Sequence, residues 1–151
     1  MYKTQSAFPR GTEVNKFLIF VEAGKCIYIQ QMKKASLVAM SIFYLLAGIN
    51  HFRSPESYYK IIPPYFPAHP FINGFSGLAE ISLAILLLIP QTRRYACYLV
   101  IAMLIAFIPA HIYMLKVGFC VNTMCLPQWA IWGRLLVLQP LLIWWAWTNR
   151  E

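Results

Sequence analysis

Two formal charges sit inside apolar sequence: Glu80 in NGFSGLAEISLAILLLIP and Arg134 in QWAIWGRLLVLQPLLIWW. An isolated Arg or Asp at the centre of a membrane helix costs about 2.5–3.5 kcal/mol on the insertion scale. Charged residues at such a depth are therefore functional candidates by default. If both stretches are helices, Glu80 lies roughly 15 Å and Arg134 roughly 12 Å from the outer end, at about 1.5 Å per residue. The matched depths predict an ion pair, with the planar fork of Arg donors also offering hydrogen bonds to a ligand oxygen. Asn50, His51, His111 and Gln139 fall near the same level, and His51, Glu80, His111, Arg134 and Gln139 form the expected ligand-binding set. Spacing supports this grouping. Asn73, Gly77, Glu80 and Ala84 share one helical face, as do Ser41, Tyr44, Gly48 and His51. Set against this pocket is a plainer reading, in which the same groups only lock helices together.

His51, His69 and His111 lack the local spacing of metal ligands, so no metal site is expected. Pro109 and Pro140 interrupt helical sequence and free the carbonyls of Ile105 and Leu136, as a kink or as ligand acceptors. Cys26 and Cys97 are expected to be unpaired. Cys120 and Cys125 share one loop and can form a disulfide in an oxidising exterior, read first as a structural clip and second as a catalytic pair. No haem ligand pair, nucleotide motif or flavin fingerprint is present.

The elements that must position these groups follow from composition. The 151 residues suffice for one domain; they are 60% hydrophobic and only 12% charged. A soluble chain of this size has too much surface to hide so much apolar area. Four apolar stretches of spanning length run over residues 35–52, 70–89, 95–115 and 126–148. Backbone groups in lipid must bond within their own segment, so these are helices. The expected fold is all-α, an integral membrane four-helix bundle with short loops. The prolines at 63, 64, 67 and 70 break the first connection, which can open with one interfacial turn capped by Ser54 with Pro55 at its first position.

The net charge of +8 is spread along the chain and gathers on no single face, which argues against a nucleic-acid partner. Six of the thirteen Lys and Arg residues precede residue 35, and Arg93 and Arg94 lie in the second connection. The positive-inside rule puts both termini and that connection in the cytoplasm. Trp129 and Trp132 would then mark the outer membrane boundary, and Trp144, Trp145 and Trp147 the inner one. Residues 1–31 show no helical period and too short an apolar run to span, so they are read as a disordered or interfacial N-terminal arm, or as sequence ahead of a true start at Met32. The apolar run after Lys34 is longer than a signal-peptide core, which favours an uncleaved anchor. Residues 32–151 form the membrane domain.

GINHFRSPESYYKIIPPYFP, SGLAEISLAILLLIP, FIPAHIYM and GRLLVLQPLLIWWAW, in this order, resemble the DoxX-like family of small bacterial membrane proteins. The likeness covers residues 35–149. It implies a four-helix bundle of the bacterial inner membrane, a link to redox biology, and polar positions at His51, Glu80, His111, Arg134 and Gln139. Residues 1–31 have no counterpart in it, and it does not require the Cys120/Cys125 pair. A fold does not fix a reaction. The favoured expectation is a subunit, more a binding protein than an autonomous enzyme, that holds a quinone or another membrane lipid beside a redox partner protein. The alternatives are a thiol–quinone oxidoreductase using Cys120 and Cys125, and a small transporter or structural helper.

Overall fold

The computed structural model describes residues 11–121 and 124–151. It divides into two compact units, Met1–Ala35 and Ser36–Glu151. Helix α1 is assigned over Gly11–Arg53 and crosses this boundary. In the first unit, residues 11–31 are helical where an arm without helical period was expected; residues 1–10 of that arm lie outside the described residues. The physical reason is local. No proline interrupts α1, and a helix satisfies its own backbone hydrogen bonds with or without a packed face. An amphipathic period arises only where one face is buried, and residues 22–35 are exposed.

The second unit holds the remaining elements: α2 (Pro55–Tyr59), α3 (His69–Leu88), α4 (Arg93–Ala106), α5 (Ile108–Val117), β1 (Cys120–Val121), β2 (Met124–Cys125), α6 (Gln128–Gly133), a π-helical turn (Arg134–Leu138) and α7 (Gln139–Thr148). Helix α2 is the turn expected at SPESYY, with Pro55 in its first turn and Ser54 at the N-cap position, but the Ser54 side chain makes no capping hydrogen bond. The two short strands pair antiparallel, with Cys120 opposite Cys125. Among the described residues, four helical runs are long and apolar enough to cross a membrane: Ile19–Arg53, His69–Leu88, Arg93–Val117 and Gln128–Thr148. Only 22–33% of their most apolar windows is buried inside the protein. The remaining apolar surface faces outward, where lipid can cover it.

The two later spans are each interrupted near a proline. Helices α4 and α5 meet at Phe107, with Pro109 in the first turn of α5. The fourth span widens into the π turn just before Pro140. Proline removes one donor from the helical ladder, and a π bulge lets the chain pass the gap while continuing in the same direction.

The core of this unit is apolar at one end and polar at the other. Leu37 and Met40 of α1 pack with Leu83 and Leu87 of α3, Cys97, Val100 and Leu104 of α4, and Leu142 and Ala146 of α7. Beyond Leu37, Ser36 ties the first span to the fourth, since its hydroxyl accepts from the Trp145 indole N–H at 2.8 Å and the Asn149 amide at 3.0 Å. Trp144 and Trp147 are exposed, while Trp145 is turned inward by that bond.

Candidate functional site

The polar end is built on a close approach of α1 and α3. Gly48 and Gly77 face each other: a Cβ on Gly48 would lie 2.8 Å from the Gly77 carbonyl oxygen, and one on Gly77 would lie 2.8 Å from His51 Cβ. Small residues at such a contact let two membrane helices come backbone to backbone. On this face Ser41, Tyr44, His51, Asn73 and Glu80 are all buried, and the Ser41 hydroxyl donates to the Ala84 carbonyl at 2.6 Å.

His51 is held on three sides. The Asn73 amide nitrogen donates to the His51 backbone carbonyl at 2.9 Å, which orients the amide. The Asn73 carbonyl oxygen then accepts from His51 Nδ1 at 2.8 Å. The Tyr58 ring stacks on the imidazole, with centroids 3.9 Å apart and planes 25° apart. His51 Nε2 faces Glu80 Oε2 at 3.8 Å. Two buried polar atoms among the described residues have no hydrogen-bond partner, Glu80 Oε2 and the Tyr44 hydroxyl.

Arg134 lies in the π turn and remains exposed on the protein's own surface. Its Nε donates to His111 Nε2 at 2.8 Å, and His111 Nδ1 donates to the Phe107 carbonyl at 2.9 Å. The ion pair expected between Glu80 and Arg134 does not form; each charged residue meets a histidine instead. Equal depth puts two residues at one level but leaves their directions open. The glycine contact aims Glu80 at α1, and the turn at Phe107 brings His111 within reach of Arg134.

Tyr58 joins the two halves. Its hydroxyl accepts from the Asn50 amide at 2.7 Å. Burial pushes its phenol above the ordinary range; the Asn50 hydrogen bond opposes this, Glu80 adds to it, and the Arg134 charge opposes it. Tyr58 also meets Phe119 edge to face at 6.0 Å, next to the hairpin of Cys120 and Cys125. Those two cysteines are bonded, with sulfurs 1.99 Å apart, while Cys26 and Cys97 are free. The anchoring roles of Asn73 and Tyr58 were not read from the sequence. Asn73 lay on the right face, but nothing in the sequence pairs it with His51.

Gln139 is buried, and its amide donates to the Leu104 carbonyl. It also lines an apolar groove of about 560 Å³ between the third and fourth spans, with Ile101, Ile108, Leu135, Pro140, Ile143, Trp144 and Trp147. His69 opens α3, apart from these hydrogen bonds. No cluster of three or more metal-ligating side chains occurs among the described residues.

No curated protein and no solved structure matches the chain. A family model described as Domain of unknown function (DUF8561) matches residues 40–150. That match takes in every residue of the polar cluster, and the chain belongs to the DUF8561 family.

Proposed function

We propose that this chain is a redox-associated membrane subunit that binds a quinone, or a lipid of similar form, and is not an enzyme on its own. The observation that carries the reading is Arg134. It is held by His111 within a helical run apolar enough to cross a membrane and is exposed on the protein surface, and the apolar groove follows the same run from Leu135 to Trp147. A head with carbonyl oxygens suits the guanidinium, and an isoprenoid tail suits the groove. The order of motifs that resembles the DoxX-like family points the same way. The proposed setting is the bacterial inner membrane, with both termini in the cytoplasm and the polar end facing outward.

The test is mass spectrometry of small molecules retained by the gently purified protein, with quinone binding measured in nanodiscs. A quinone should co-purify, and Arg134→Gln should weaken its binding about tenfold, the worth of one charge-assisted hydrogen bond. Absence of quinone together with unaltered binding in Arg134→Gln would remove the reading.

One observation favours a second reading. The Cys120–Cys125 hairpin is tied to the cluster through Phe119 and Tyr58. In a thiol–quinone oxidoreductase the two thiols would lose two electrons and two protons and form the S–S bond, while the quinone became the quinol. Replacing both cysteines by Ser would then abolish quinone reduction and leave quinone binding intact. Unchanged binding, with no thiol-driven reduction in the parent protein either, would leave the binding subunit.

A further inference from the structure

We infer that His51 and Glu80 form a buried proton-binding site that holds one proton between the two side chains. Hydrogen-bond roles fix which atoms of His51 and Asn73 carry hydrogen. The atom of Asn73 that meets the His51 backbone carbonyl must be the NH2 group, because a carbonyl only accepts. The other end of the amide is therefore the oxygen, so His51 Nδ1, 2.8 Å away, carries a hydrogen. In the neutral ring Nε2 is then a bare lone pair. It faces Glu80 Oε2 at 3.8 Å, and both side chains are buried, with side-chain exposures of 10% and 7%. Two acceptors facing each other in a buried site repel. One proton, on Oε2 or on Nε2, turns the contact into an attraction. The separation is about 1 Å beyond a hydrogen bond. Glu80 Oε2 has no other partner to take that proton's place.

His111 shows the opposite arrangement with the same ring form. Its Nδ1 donates to the Phe107 carbonyl, and its Nε2 accepts from Arg134 Nε. Both ring nitrogens are satisfied in the neutral state, and a proton on Nε2 would have to displace Arg134. The two histidines therefore divide the work, one closed to protons and one open. The groups around the open pair are Tyr44 on α1, with its unpartnered hydroxyl, Tyr58 on α2, stacked on the imidazole, and, at longer range, the Arg134 charge in the fourth span.

The charge count has a consequence for the ligand. With one proton on board, His51 and Glu80 sum to zero wherever the proton sits, and His111 is neutral. The charge of Arg134 is then uncompensated within the cluster. Resting on the quinone reading above, the site takes the ligand through an oxygen that is electron-rich or negatively charged.

The test uses the full chain in nanodiscs at neutral pH without added ligand. Infrared difference spectra with 13C-labelled Glu report a protonated carboxyl, and 15N-His magnetic resonance reports the ring form of His51. One of two patterns is expected: a carboxyl band lost in Glu80→Gln beside a neutral His51, or a doubly protonated His51 beside an ionised Glu80. Ionised Glu80 beside neutral His51 would overturn the proposal. The parent spectrum alone decides this, so a poorly folding Glu80→Gln does not matter; His51→Gln and site-selective labelling then supply the assignment. The measurement involves no quinone, so it can fail while quinone binding stands, and the reverse.

Discussion

Arg134 Nε donates to His111 Nε2 at 2.8 Å, so the only charged residue within the fourth span is anchored by a neutral ring. The anchor holds the guanidinium without neutralising it. A hydrogen bond to a charged group is worth about 1.5–3 kcal/mol. A double-mutant cycle on Arg134→Gln and His111→Leu should give a coupling of roughly 0.5–3 kcal/mol. The cycle on Arg134→Gln and Glu80→Gln should give less than half of that. Unfolding by denaturant titration in mixed micelles is the measurement. Stronger coupling with Glu80 would restore the ion pair that equal depths suggest.

The glycine contact makes a sharp contrast possible. Gly77→Ala brings a Cβ to 2.8 Å from His51 Cβ and 3.0 Å from the Gly48 carbonyl oxygen. Overpacking of this kind typically costs about 1–3 kcal/mol, and here it should also part His51 from Glu80. Gly74→Ala, on the same helix, meets nothing within 4 Å. It should be neutral or stabilise by roughly 0.5–1 kcal/mol through helix propensity. Thermal unfolding of the two variants side by side checks the ranking, and equal effects would contradict the close approach.

Alkylation separates the four cysteines. Without reductant, intact mass should reveal no label on Cys120 or Cys125, ready labelling of exposed Cys26, and slow labelling of buried Cys97. Reduction should add two labels. The closed loop is short, so its loss should lower stability by roughly 2 kcal/mol in the chain-entropy account. Labelling of Cys120 without reductant would contradict the bond.

Shortening the chain to begin at Met32 should leave the unfolding temperature of the second compact unit unchanged, because that unit begins at Ser36. Ser36→Ala should lower it, since the hydroxyl accepts from both Trp145 and Asn149. A large loss on truncation would mean that residues 1–31 support the bundle.

Orientation is open to direct labelling. Single reporter cysteines near residue 118 should react with an impermeant reagent from outside, and ones at 91–92 only after lysis. The reversed pattern would turn the proposed topology over.

The sequence by itself determined that the chain is all-α with four spans, because about twenty apolar residues between polar loops have one low-energy form in lipid. It also named the residues that are costly at that depth, which made His51, Glu80, His111, Arg134 and Gln139 the candidates. The shared faces of Ser41–His51 and Asn73–Ala84 were legible because helical period is a property of one chain segment. What only the tertiary structure decided is who meets whom. Helix rotation, set by the Gly48–Gly77 contact, turns Glu80 to His51. The break at Phe107 turns His111 to Arg134, and Gln139 is spent on the Leu104 carbonyl. Depth along a helix is written in residue count, but direction around it depends on packing against neighbours distant in sequence. That is why two charges at one level each chose a histidine over the other.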